Sequence, residues 1–138
     1  MDEEIKKYFP DYLNKPDYSF GLTLGKINNM EIYFIYDDRL SHSIIKKSIF
    51  DKLNFPYVSQ NSTPKETILL PTYHYRYNKV INYLKAPIHN KVDLTCQYDN
   101  GENILKSFYI IDDMHIDEYA VNKYFGDSNY VAINEWNK

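Results

Sequence analysis

The residues best suited to chemistry are two adjacent aspartates, Asp37 and Asp38, followed directly by Arg39. A carboxylate at a strand end can act as a general base toward water, and two carboxylates that share one proton can hydrolyse an amide. The same three residues also suit a solvated polar turn that does no chemistry. The surrounding elements decide which interpretation is favoured.

Two other groups of polar residues are weaker candidates. Ser41, His42 and Ser43 contain a nucleophile and a base, but neighbours on an extended chain point to opposite faces, so adjacency does not make a catalytic triad. The segment 112–117 contains three aspartates and one histidine, at a spacing that matches no metal motif and favours a solvated loop. We therefore expect no metal and no cofactor.

Composition limits the partners. The chain has 138 residues and a net charge of -3, so nothing indicates nucleic acid or an anionic membrane as a partner. Cys96 is the one cysteine, which favours a reducing, intracellular and cytoplasmic location. Fifteen tyrosines reflect either a compositional bias or a contact surface rich in tyrosine.

The first half of the sequence predicts strands and one short helix. Alternation over 20–36, interrupted by Asn28-Asn29, indicates a β-hairpin. Apolar residues four apart in 45–53 indicate a short helix after the polar turn. Thr67 to Leu70 suggests a strand that Pro71 interrupts. Beyond it, the pattern fits either a continued strand or a helix that starts near residue 78.

The second half contains the clearest hairpin. Residues 92–98 and 104–111 alternate around Asp99-Asn100-Gly101, and Asn-Gly is a strong hairpin signal. This pattern places Cys96 on the inward face. The tail predicts one short helix near 117–125 and a last strand at 130–133. The fold class is therefore all-β, mainly β with one or two short helices.

The order of these pieces resembles a retropepsin, the aspartic protease domain of retroviruses and long-terminal-repeat retrotransposons. Residues 25–53, GKINNMEIYFIYDDRLSHSIIKKSIFDKL, follow a family pattern that runs G-x-I-N-G, an apolar strand, D-[ST]-G-A-[ST]-H-S and a short helix. The hairpin that ends in SFYIIDD is similar to the strand before the family's second conserved segment. The resemblance implies an acid-protease fold, a closed, small β-barrel-like domain.

By position, the resemblance implies that Asp37 is the catalytic aspartate and that Asp38, Arg39, Leu40 and Ser41 form the active-site loop. Asp38 stands where the family has Ser or Thr, Arg39 where it has glycine, and Leu40 where it has alanine. In the second segment, Asn122 falls where a glycine is usual. Arg39 would crowd two loops that meet across a dimer axis, and Asp38 lacks the hydroxyl that braces those loops, so we expect a catalytically degenerate domain.

The length and the lack of a recognisable linker indicate a single domain over 1–138. It divides into a lead-in over 1–18, the hairpin, active-site-like loop and helix over 20–56, a flap region over 67–90, and a second hairpin, helix and terminal strand over 91–133. The implied partners are a second copy in a homodimer and an extended peptide. The alternation of Tyr73, Tyr75 and Tyr77 makes them candidate flap contacts.

Two alternatives remain open from the sequence. One is an active aspartic endopeptidase that processes a retroelement polyprotein with Asp37 from each subunit of a dimer. The other is an unrelated β-rich protein-interaction domain, in which Asp37, Asp38 and Arg39 are only a polar turn.

Overall fold

A computed structural model describes residues 20–55, 66–74, 79–119 and 121–135. Eight strands make up most of this part of the chain: β1 Phe20–Ile27, β2 Met30–Asp37, β3 Ser43–Lys46, β4 Thr67–His74, β5 Lys79–Pro87, β6 Asn90–Tyr98, β7 Asn103–Ile111 and β8 Tyr130–Ile133. Short helices connect some of them: α1 Lys47–Lys52, α2 Asp113–Ile116 and α3 Asn122–Phe125.

Six strands close into a barrel in the order β1-β2-β8-β3-β7-β6. β8 lies between β2 and β3, parallel to the first and antiparallel to the second. β3 and β7 are also parallel. A strand from the end of the described chain thus separates the two strands that flank the Asp37 turn, and all four residues of β8 are buried. The prediction of a mainly β, closed barrel is confirmed.

Both predicted hairpins of the barrel are confirmed. Asn28 and Asn29 join β1 to β2 with φ of 49° and 67°, in the left-handed region that asparagine tolerates better than most residues. Gly101, with φ of 91°, lies in the turn that joins β6 to β7. Because these turns fix the register, the inward and outward positions alternate as the sequence predicts, and Cys96 is fully buried.

Strands β4 and β5 form a separate two-stranded sheet, and the prediction that Pro71 interrupts the first strand is wrong. Pro71 lies inside β4, opposite Tyr83, and the register shifts just after it, between Thr72 and Tyr73. A proline is tolerated there because β4 pairs with one full strand only among the described residues and its ladder is irregular just after Pro71.

The alternative of a helix that starts near residue 78 is also wrong, because β5 begins at Lys79. Of the three candidate flap tyrosines, Tyr73 has its backbone in β4, while Tyr75 and Tyr77 lie outside the described residues.

The tail differs in detail from the prediction of one helix over 117–125. Two single-turn helices, α2 and α3, flank a short connection in which Tyr119 makes an isolated antiparallel bridge to Thr72 of β4. The predicted last strand, β8, has the expected bounds. It is an interior strand of the barrel, since it pairs on both edges.

Buried side chains form two clusters. One fills the barrel end lined by α1 and the β6–β7 hairpin and includes Phe34, Ile49 and Phe108. The other joins the base of the β4–β5 sheet to the Asp37 turn and includes Leu40, Leu70 and Tyr119. The second cluster determines the environment of the candidate site.

Candidate functional site

Asp37 is the last residue of β2, and its side chain is fully buried. Oδ1 accepts hydrogen bonds from the backbone N–H of Arg39 at 3.1 Å and from the Arg39 Nε at 3.0 Å. Oδ2 accepts a hydrogen bond from the Tyr119 hydroxyl at 2.9 Å. Both oxygens are therefore occupied by groups of the same chain, and the carboxylate is not exposed to solvent.

Local geometry explains why the chain turns at this point. An aspartate readily accepts a hydrogen bond from the backbone two residues ahead, and this Asx turn is completed by the Leu40 N–H, which donates to the Asp37 carbonyl at 3.2 Å. Leu40 then enters the core with only 4% of its surface exposed. The turn is held by Asp37 at its start and by the burial of Leu40 at its end.

Arg39 forms an ion pair with Asp37. The pair is largely buried, because only 17% of the Arg39 side chain is exposed. Its guanidinium balances the charge of the buried carboxylate, which would otherwise be costly to remove from water. Asp38, in contrast, is exposed. Of the two aspartates in the motif, one is a structural ion-pair partner in this conformation and the other faces solvent.

Tyr119 is the member of the site that sequence reasoning missed. Its side chain is fully buried, and burial together with the negative charge of Asp37 raises the pKa of the Tyr119 hydroxyl well above its ordinary value. The hydroxyl therefore stays protonated at neutral pH and can donate its hydrogen bond to Asp37. No sequence signal links two residues 82 positions apart, apart from the general rule that a buried tyrosine needs a partner for its hydroxyl.

Hydrogen bonds join Ser41 and Ser43 to Asn134, the residue that follows β8. Asn134 Nδ2 donates to the Ser41 carbonyl at 3.0 Å, and the Ser43 hydroxyl donates to Asn134 Oδ1 at 3.0 Å. The backbone N–H of Asn134 in turn donates to the Ser43 hydroxyl oxygen at 3.2 Å. These three bonds fix the segment after Asp37 to the end of the barrel strand beside it.

His42 points to the outer surface, where its ring stacks on Tyr109 with the ring centroids 4.2 Å apart. Its Nδ1 lies 2.9 Å from the Ser41 hydroxyl. Tyr109 donates to Glu66 at 3.4 Å, and Lys91 pairs with Glu66 at 2.9 Å. The hydrogen bond from Lys91 lowers the pKa of the Glu66 carboxyl, so Glu66 is ionised at neutral pH.

An open pocket of about 280 Å³ lies on the outer side of the Ser41–Ser43 segment. His42, Leu105, Lys106 and Glu135 are among the residues that line it. Lys106 donates to the Glu135 carbonyl at 3.1 Å, and burial lowers the pKa of its ammonium group. The pocket is mixed in charge, and Asp37 is not part of its lining.

Asp112 and Asp113 of the segment 112–117 have separate partners. Asp113 accepts a hydrogen bond from the Ser48 N–H at 3.0 Å, and Asp112 lies 3.7 Å from His89. Among the residues that the structure describes, no three His, Cys, Asp or Glu side chains come together as a metal site would require. No helix in the same part of the chain is long and apolar enough to cross a membrane.

Comparisons with protein-family models, curated proteins and solved structures found no match. The candidate site therefore has to be interpreted from its own geometry. In this conformation Asp37 accepts three hydrogen bonds from its own chain, and its full burial keeps water away from both carboxylate oxygens. The arrangement stabilises the turn from residue 37 to residue 40.

Proposed function

We propose that this protein is a retropepsin-like domain of retroelement origin that has lost proteolysis and acts as a binding module. In this proposal it associates as a homodimer and takes an extended peptide as an added strand. The observation that carries the proposal is the complete burial of Asp37 beneath Arg39 and Tyr119. An aspartic protease needs this carboxylate in contact with water and substrate.

The order of elements supports the proposed ancestry. A hairpin leads into the Asp37 turn, a short strand and α1 follow it, and a two-stranded sheet outside the barrel stands where the resemblance implies a flap. Gly25 begins the matched segment and has a structural reason to be glycine. A Cβ at this position would lie 2.3 Å from the Gln97 carbonyl oxygen and 2.6 Å from the Phe34 ring.

The flap-like sheet supports a binding role. Its inner face, with Ile68, Leu70 and Ala86, packs in the same buried cluster as Leu40 of the Asp37 turn. Its outer face carries Leu69 and Tyr83, of which 53% and 48% of the surface is exposed. The face of the sheet toward Asp37 is thus buried, and Leu69 and Tyr83 are exposed on the opposite face.

The outer edge of β5 is the position that we propose for an added peptide strand. Among the described residues, β5 forms strand pairs with β4 alone, whereas β4 also makes the bridge to Tyr119. In this proposal the outer edge of β5 offers main-chain N–H and C=O groups to an extended peptide, and alternate side chains of that peptide lie beside Tyr83. The added strand then gains both backbone hydrogen bonds and aromatic contact.

A direct experiment combines peptide capture with sedimentation. Displayed random decapeptides are selected on the wild-type protein, and the binders are titrated against wild type and Tyr83→Glu, with Leu105→Glu as the matched control on the barrel surface. We expect Tyr83→Glu to weaken binding at least tenfold, because a charge replaces an aromatic contact at the proposed edge, and Leu105→Glu to leave it unchanged.

Sedimentation equilibrium of the same proteins tests the dimer. A dimer at micromolar concentration supports the proposal, and a strict monomer contradicts its homodimer part. Equal loss of peptide binding in both glutamate variants would contradict the β5 edge as the binding position. A test of dimerisation cannot use substitutions in Tyr130–Ile133, because these residues are interior to the barrel and their replacement would unfold it.

A further inference from the structure

Tyr119 contacts two elements that are otherwise separate. Its hydroxyl donates to Asp37 Oδ2 at 2.9 Å, and its backbone bridges to Thr72 near the C-terminal end of β4. Its own N–H donates to the Ile116 carbonyl at 2.8 Å, at the end of α2. One residue therefore joins the β4–β5 sheet to the turn that follows β2.

The hydrogen bond from Tyr119 to Asp37 is one of several that hold the turn after β2. Asp37 also accepts the two hydrogen bonds from Arg39, and its carbonyl accepts the bond from the Leu40 N–H. Leu40 packs in the same buried cluster as Tyr119 and Leu70 of β4. A shift of the Tyr119 hydroxyl would therefore alter the hydrogen bonding that holds the whole turn from residue 37 to residue 40.

We propose that Tyr119 is a coupling residue: it transmits a displacement of the β4–β5 sheet to the Asp37–Leu40 turn, and a displacement of the turn back to the sheet. The reason is geometric. The phenol is rigid and fully enclosed, so its hydroxyl cannot remain on Asp37 if the backbone of Tyr119 follows β4 outward. Packed interiors respond to such a shift by rearranging rather than by deforming smoothly.

The coupling is reciprocal because it is a free energy shared between two positions. A ligand that displaces the β4–β5 sheet would therefore also displace the turn, and a ligand that displaces the turn would displace the sheet. This inference goes beyond the proposed binding function and does not require it. The coupling can be measured on the free protein, whichever ligand the sheet takes.

The test is amide hydrogen exchange, resolved by residue, on wild type, Tyr119→Phe and Tyr130→Phe. Tyr119→Phe removes only the hydroxyl that reaches Asp37. Tyr130→Phe is the matched control, because Tyr130 is buried in the same cluster but its hydroxyl donates at 3.0 Å to Asn122 and not to Asp37. Asp37→Asn disturbs the same hydrogen bond from the other partner and serves as the second variant.

We expect Tyr119→Phe and Asp37→Asn to raise exchange about tenfold or more both at the Leu40 amide and at the β4 amides near Thr72, which corresponds to about 1.4 kcal/mol. Tyr130→Phe should raise exchange near α3 and leave β4 unchanged. Acceleration at the turn with an unchanged β4 would overturn the coupling. The same pattern in Tyr130→Phe as in Tyr119→Phe would also overturn it, since the effect would then be a general loss of stability.

Discussion

The hydroxyl of Tyr119 donates a 2.9 Å hydrogen bond to Asp37, 82 positions earlier in the chain, and both side chains are fully buried. Arg39 donates to Oδ1 of this carboxylate, and Tyr119 donates to the other oxygen, Oδ2. Asp37 thereby becomes part of the core, although its position at the end of a strand resembles that of a catalytic aspartate.

Asp37→Ala is expected to destabilise the fold by about 3 kcal/mol, because it leaves a largely buried guanidinium and a buried hydroxyl without their acceptor. The free energy of unfolding from urea titration measures this loss. Asp38→Ala is the matched control, since Asp38 is exposed, and a change within about 0.5 kcal/mol is expected there. Equal stability of the two variants would show that the Asp37 network contributes nothing.

Asn134→Ala should cost about 2 kcal/mol, because it removes the amide that ties Ser41 and Ser43 to the end of β8. The replacement leaves the Ser41 carbonyl and the buried Ser43 hydroxyl each without one partner. Asn129→Ala is a suitable control, since its side chain makes only a surface contact with Lys52 at 3.3 Å. Thermal unfolding of the two variants should separate them by several degrees.

Gly25→Ala is expected to cost at least about 2 kcal/mol, because the added Cβ would meet the Gln97 carbonyl oxygen at 2.3 Å. This glycine lies where β1 and β6 approach to close the barrel, through the pairs Gly25–Tyr98 and Lys26–Gln97. Lys26→Ala, one position along and exposed, should have little effect. If urea titration showed both variants to be as stable as wild type, the closure of the barrel at this seam would be in doubt.

Alkaline pH should destabilise the protein partly through Cys96. Burial raises the pKa of its thiol from 9.0 to about 12, so the folded state retains a proton that the unfolded state loses above pH 9. The resulting contribution to stability is complete below pH 9 and disappears as the pH rises toward 12. The free energy of unfolding should therefore fall with pH more steeply in wild type than in Cys96→Ala.

A constant difference in stability between wild type and Cys96→Ala over that range would contradict this prediction. Tyrosines whose pKa values are raised without any contribution from Cys96, such as the buried Tyr130, contribute a similar slope to both proteins and cancel in the comparison. The native thiol should also resist iodoacetamide at neutral pH, because the reactive species is the thiolate.

The sequence predicted the elements whose signals are local. Asn28-Asn29 and Asn100-Gly101 determine hairpins through backbone conformation alone, and the alternation beside them sets which face is buried. The buried position of Cys96 followed from the same alternation. Pro71 misled the prediction, because a proline interrupts a central strand but not an edge strand, and an edge is a property of the whole sheet.

The environment of Asp37 could not be predicted, since it depends on contacts between distant segments. Tyr119 reaches the carboxylate only because Thr72 and the end of α2 hold its backbone in place. The motif around Asp37 indicated the turn and gave no indication of its burial. Likewise, the sequence of β8 is that of an ordinary strand. Its position between β2 and β3 depends on the closure of the whole barrel and has no local signal.

The most direct test of a non-catalytic Asp37 is a cleavage assay with a broad peptide library between pH 4 and pH 7, analysed by mass spectrometry. Wild type and Asp37→Asn are compared at equal concentrations, high enough to populate a dimer. We predict no cleavage by either protein above the background of buffer alone. Cleavage at defined sites by wild type that disappears in a folded Asp37→Asn variant would contradict the account and make Asp37 a catalytic residue.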